Sequence, residues 1–185
     1  MNYIQYIKNS QIRGFFYISI PLFLSSCSPT LYVLDNSPNL AGDIYQITLV
    51  KKIQKEIKKN SSDKRKLKAG VESLTTYAFG FLMEESDRLM LDDYSGAKNL
   101  ESEAHKYFVE AVSYGDSAIS QIHNDYYKWL IGKGELKPDI SLENQDFDLF
   151  YWAAAAYGGA ISSSGGNPKW IIKLPRVGKL LNCII

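Results

Sequence analysis

The stretch AKNLESEAHKYFVEAVSYGDSAISQI, Ala97–Ile122, decides the fold class. Its apolar and small members, Ala97, Leu100, Ala104, Phe108, Ala111, Gly115, Ala118 and Ile122, advance by three or four positions each time, which stacks them on one face of an α-helix. The small members of that stripe let a neighbouring helix approach closely. The pattern predicts a helix that runs on to about Leu130.

Upstream, the period begins at Asp43: Val50, Ile53 and Ile57 share a face while Lys51, Lys52, Lys55, Lys58 and Lys59 fill the other side. Asn60-Ser61-Ser62-Asp63 stops this helix. A second carries Leu67, Val71, Leu74, Ala78, Phe81 and Leu82 and ends near Asp92-Asp93. Downstream, Gly132-Lys133-Gly134 and Pro138 break the chain, and Ser141 or Asn144 is a candidate N-cap for a fourth helix through Phe147, Leu149, Phe150 and Ile161. Asp146 and Asp148 sit where the dipole of that helix favours acids. Ser162 to Asn167, with Gly165-Gly166, closes it, and Pro168 and Pro175 are each placed to begin a further helical turn. No segment alternates with period two. The fold class is all-α, built of antiparallel helix pairs joined by short loops. A degenerate tetratricopeptide-like solenoid and a plain helical bundle both fit: Trp152, Tyr157 and Gly158 loosely match the first helix of a repeat of about 34 residues, but their order is wrong and no second copy is visible.

The amino terminus has a different character. Lys8 and Arg13 precede the apolar run Phe15 to Leu24, followed by Ser25-Ser26-Cys27, and no acid occurs before Asp35. This is the order of a secretory signal, whose apolar region spans roughly 7–15 residues before small residues at the cut. Leu24-Ser25-Ser26-Cys27 reads as a lipobox. Residues 1–26 are therefore expected to be a signal peptide and Cys27 the acylated first residue of the mature chain. A spanning helix needs about 20 apolar residues, more than lie between Arg13 and Ser25. Ser28 in place of Asp after the cysteine favours the outer membrane over the inner. Residues 28–42, with two prolines and a glycine, suit a flexible tether, leaving 43–185 as one helical domain.

The chain has 21 Lys and Arg against 20 Asp and Glu, and removal of Lys8 and Arg13 leaves it nearly neutral, so nothing points to nucleic acid. With Cys27 taken by lipid, Cys183 has no partner for an intramolecular disulfide and reads as a buried thiol. His105 and His123 are the only histidines, with no cluster at metal-site spacing. Glu101, one turn before His105, reads as a surface contact. There is no nucleophile elbow and no phosphate loop. No catalytic residue, metal or cofactor is expected. Charge is nonetheless uneven: residues 51–68 hold nine basic and two acidic residues, and 84–116 hold nine acidic and three basic. Such runs serve as solvated helix faces or as docking surfaces for a charged partner or lipid headgroups. In the block Tyr151 to Ile161, the positions Trp152, Ala153, Ala156, Tyr157 and Ala160 fit either tight helix packing or the lining of an apolar channel.

That block, Phe150-Tyr151-Trp152-Ala153-Ala154-Ala155-Ala156-Tyr157-Gly158-Gly159-Ala160-Ile161, with Asn167-Pro168 and Leu174-Pro175-Arg176-Val177 behind it, resembles the TatT family of lipoproteins associated with TRAP-type (tripartite ATP-independent periplasmic) transporters. Tyr77-Ala78-Phe79-Gly80-Phe81 and the helix with Ala104, Tyr107, Phe108, Ala111, Tyr114 and Gly115 resemble it too. The resemblance implies cryptic tetratricopeptide-like helix pairs, homotrimers with apolar pores, and binding of the periplasmic solute-binding receptor of a TRAP transporter. It implies no catalysis. The family continues past Leu-Pro-Arg-Val into further helix pairs, whereas this sequence ends at Ile185, so its helical domain is expected to be incomplete there. The function expected is an accessory scaffold that docks the receptor near the membrane; the alternative is a generic helical-repeat envelope lipoprotein that scaffolds protein assembly.

Overall fold

A computed structural model describes residues 37–132 and 144–184. The signal segment 1–26, Cys27, the tether up to residue 36 and the break at 133–143, with Ser141, lie outside the described residues. Residue contacts divide the chain into Met1–Ala41, described only from Ser37 onward, and Gly42–Ile185, which carries the structure that follows.

Among the described residues the order is entirely helical. Helix α1 covers 38–59, joining α-helical Pro38–Tyr45 and Lys51–Lys59 through a π-helical turn, Gln46–Val50. Helix α2 covers 64–89, again α-helical at both ends, Lys64–Tyr77 and Glu84–Leu89, around a π-helical turn at Ala78–Met83. Then come α3 (Tyr94–Ile122), α4 (Tyr126–Leu130), α5 (Asn144–Ser162), α6 (Pro168–Ile171) and α7 (Leu174–Leu181). Polar caps set the starts: Asp63 accepts from the amides of Arg65 and Lys66, Asp93 from Gly96 and Asn167 from Lys169, each meeting donors that a helix leaves unpaired.

Helix α3 is the hub of an all-α bundle, packed against α2 and α5, which also meet each other. The α2–α3 pair is antiparallel: the Ser86 hydroxyl donates to the Ala97 carbonyl at 2.9 Å near one end, while Gly70 faces Tyr114 toward the other. Helix α5 runs antiparallel to α3, with Ala153 beside Gly115 and Ser163 beside His105, and so parallel to α2. Ala97, Ala104, Phe108, Ala111 and Ala118 of the sequence stripe are fully buried. Leu67, Val71, Leu74, Ala78 and Leu82 of α2, Val50 and Ile57 of α1, and Leu149, Phe150 and Tyr157 of α5 share one core with Ala104, Phe108, Ala111 and Ala118.

Three expectations are corrected. The helix expected from Asp43 begins at Pro38, so residues 38–42 of the expected tether are helical. Proline is well suited to a first helical position, where its missing N–H has no partner to lose. Both long helices before α3 contain a π-helical turn where an unbroken α-helix was expected. And α3 ends at Ile122 instead of near Leu130, because His123 adopts extended backbone and α4 folds back. That break has a packing reason: Tyr126 donates to Asp116 at 3.2 Å, whereas on a continuous helix residues ten apart are separated by about 15 Å of rise.

Candidate functional site

The carboxyl of Asp116 is a half-buried charge at a junction of helices. It lies on α3 beside Gly115 and accepts from Tyr157 of α5 at 2.7 Å and from Tyr126 of α4 at 3.2 Å. Arg176 of α7 donates to the Tyr157 oxygen at 3.3 Å, and its guanidinium lies 5.7 Å from that ring's centroid. One polar node thus ties four helices together. Burial pushes the Asp116 carboxyl above its ordinary range, against the hydrogen bonds from Tyr157 and Tyr126 and the charges of Arg176 and Lys173. Burial, reinforced by the Asp116 charge, also raises both phenols, which therefore remain protonated donors. Lys173 is lowered by burial and by Arg176, with Asp116 opposing. The node has an acceptor and three donors but no nucleophile beside a base; what it does chemically is orient and clamp.

Three turns earlier on α3, His105 Nδ1 lies 3.2 Å from Ser163 Oγ, and its imidazole meets the Trp170 ring edge-on at 5.3 Å. Burial lowers the His105 pKa, so the ring is neutral near neutral pH. The Ser163 hydroxyl donates to the Gly159 carbonyl at 2.6 Å, which commits its proton to the backbone. Glu101 pairs with Lys98 rather than with His105. His123 accepts from the Asp125 amide, a local turn contact. Cys183 is half-buried, its thiol 3.4 Å from the Lys179 carbonyl. No group of His, Cys, Asp and Glu able to hold a metal occurs among the described residues.

The small-residue block of α5 is enclosed by the chain's own helices. Ala153, Ala156, Tyr157 and Ala160 are buried, with Trp152 half-buried at their edge. The approach is close: a Cβ at Gly115 would stand 3.1 Å from that of Ala153, and one at Gly159 would overlap the Phe108 ring. Of the node, the sequence points to Tyr157 as a site residue and to Arg176 as part of a motif, and nothing local pairs Asp116 with Tyr126. The available signal was an acid one position from Gly115 in an otherwise small and apolar stretch.

At the surface the two charged runs become two distinct features. Lys64 and Lys68 of α2 pair with Asp146 and Asp148 of α5, both at 3.2 Å, beside an open cleft of about 230 Å³ lined by Lys64, Arg65, Lys68, Ala69, Glu72, Asp146 and Leu149. At the other end of α2, the α2–α3 turn presents Leu91 at 95% exposure and Tyr94 at 64%, among exposed Glu84, Asp87, Asp92 and Asp93. No described helix is long and apolar enough to cross a membrane.

No curated protein and no solved structure matches the chain. The model of one family, TAtT, described as TRAP transporter T-component, matches residues 36–185. That span takes in α1 through α7, the Asp116 node and both charged surfaces, and the chain belongs to the family of TRAP transporter T-components.

Proposed function

We propose that the protein is a non-catalytic accessory lipoprotein of a TRAP-type transporter, held on the periplasmic side of the envelope by acyl groups on Cys27, with the outer membrane favoured, and that it docks the transporter's periplasmic solute-binding receptor. Membership of the T-component family carries this reading. The acidic turn between α2 and α3 supplies a surface of the right kind. Two exposed apolar side chains, Leu91 and Tyr94, ringed by charge, have the makeup of an interaction patch: an apolar centre to be desolvated and a polar rim. The Asp116 node, toward the opposite end of α3, holds α4, α5 and α7 to that helix and takes no part in chemistry. Assembly as a homotrimer belongs to the same proposal.

The test uses the full chain as bait in detergent-solubilised envelopes, with mass spectrometry of what co-purifies. An extracytoplasmic solute receptor is expected with the native chain, at least tenfold reduced by Leu91→Asp with Tyr94→Ala. Both substitutions lie on exposed positions, so the helical circular dichroism should be unchanged. Failure of any such receptor to co-purify contradicts the docking reading. A Cys27→Ala chain that stays in the membrane fraction contradicts the acyl anchor.

A further inference from the structure

We propose that the outward face of α1, from Ile44 to Lys59, is a docking surface for an anionic lipid bilayer. The inward face of this helix is settled by its core contacts: Val50 and Ile57 are buried, and Tyr45 and Ile53 pack partly against the core. The opposite side is unusual in what it leaves in water. Ile44 and Ile47 are 48 and 61% exposed, and Lys51, Lys52, Lys55, Lys58 and Lys59 follow on the same outward surface. Among the described residues Lys51, Lys52, Lys55 and Lys58 form no ion pair; Lys59 pairs with Glu56, which also binds Lys66. Asp43 is the one exposed acid at the start of the face.

Apolar side chains flanked by unpaired lysines along one helix face make an interfacial helix, with isoleucines entering the acyl boundary and lysine stems reaching the phosphates. An acidic protein partner is the weaker match, because protein interfaces are depleted of lysine at their centre. The face is about 24 Å long at 1.5 Å per residue, and it lies flat without unfolding any of the bundle. Each lysine brought to an anionic surface contributes roughly fivefold to partitioning. This surface acts independently of receptor docking, and it gives an acyl chain at Cys27 the second signal that stable anchoring needs.

The experiment uses the full chain with Cys27→Ser, Cys183→Ser and Thr48→Cys, labelled at position 48 with an environment-sensitive fluorophore. It is mixed with vesicles of phosphatidylcholine alone or of phosphatidylcholine with phosphatidylglycerol. A blue shift on the anionic vesicles, reversed by high salt, is expected. Lys51→Glu with Lys55→Glu and Lys58→Glu should lower the ratio of anionic to neutral binding about a hundredfold, with the helical circular dichroism unchanged. The ratio isolates this face, since the apolar run 15–24 is common to both chains. A label that stays in water while the chain sediments, or a ratio unmoved by the triple variant, overturns the proposal. A blue shift with polyglutamate but not with vesicles assigns the face to an acidic protein and overturns it equally. Loss of receptor capture leaves these outcomes untouched, because the vesicles hold no receptor.

Discussion

The two sides of α3 are filled in opposite ways. Toward α1 and α2 the space is taken by large rings: Tyr45, Tyr77, Phe81 and Tyr107 lie with centroids 5.1 to 6.4 Å apart, Tyr77 meeting Tyr107 edge-on. Gln46 donates to the Tyr107 oxygen at 2.9 Å and Gln54 to Glu110 at 2.7 Å, and the rings lie at or beside the π-helical turns of both helices. Toward α5 the space is removed instead, by Gly115, Gly159, Ala153, Ala156 and Ala160, with Phe108 and the Asp116 node among the larger groups that enter it. An aromatic seam tolerates loss of a hydroxyl, since ring contacts remain; a close-packed seam tolerates neither added nor missing atoms. The contrast therefore makes the α3–α5 seam the rigid spine and the α1–α2 side the adaptable one.

The largest effect that could break this contrast is at Phe108. Replacement by Ala should cost about 3–5 kcal/mol in urea unfolding. Gly159→Ala should cost about 1–3 kcal/mol by overpacking, and Phe108→Leu in that background should recover part of the loss, because the added methyl and the ring compete for one space. A neutral Gly159→Ala would mean that the seam is not close-packed.

Next is the node. Asp116→Ala leaves two buried phenols without their acceptor and should cost about 1–3 kcal/mol. Its pH dependence has a defined sign. Burial raises the folded carboxyl above its ordinary 3.8, so the stability it contributes is complete below that value and is lost as pH rises through the folded pKa. The stability of the native chain relative to Asp116→Asn should therefore fall with rising pH above about 3.8. A difference that grows with pH contradicts the desolvated carboxyl.

On the adaptable side, Gln46→Ala should cost only about 1 kcal/mol, the net worth of one hydrogen bond. The smallest effect is at Lys68, paired with the exposed Asp148, where alanine should cost well under about 1 kcal/mol and less at high salt.

Much of the spine was legible in the sequence, because a stripe such as Ala104, Phe108, Ala111 and Ala118 is a local pattern whose period survives folding. The stops at Asn60–Asp63 and the starts at Pro168 and Pro175 are local chemistry too. The π-helical turns were not legible: each shifts register by about one residue, and Val50, Ile53 and Ile57 fit the helical period on either side of that shift. Helix α1 was expected too late because Pro38 and Gly42 read as breakers, although one opens the helix and the other lets α1 approach Phe81, which a Cβ would meet at 3.1 Å. The node escaped because its members come from four helices. Asp116 and Tyr157 are 41 residues apart, a pairing that no spacing rule reaches.

The most direct test of the account is photo-crosslinking in intact cells from a photoreactive residue at position 91, with a second chain carrying it at position 55. The account expects position 91 to capture an extracytoplasmic solute receptor and position 55 to capture phospholipid. Capture of no such receptor from position 91, or of the same proteins from both positions, would contradict it.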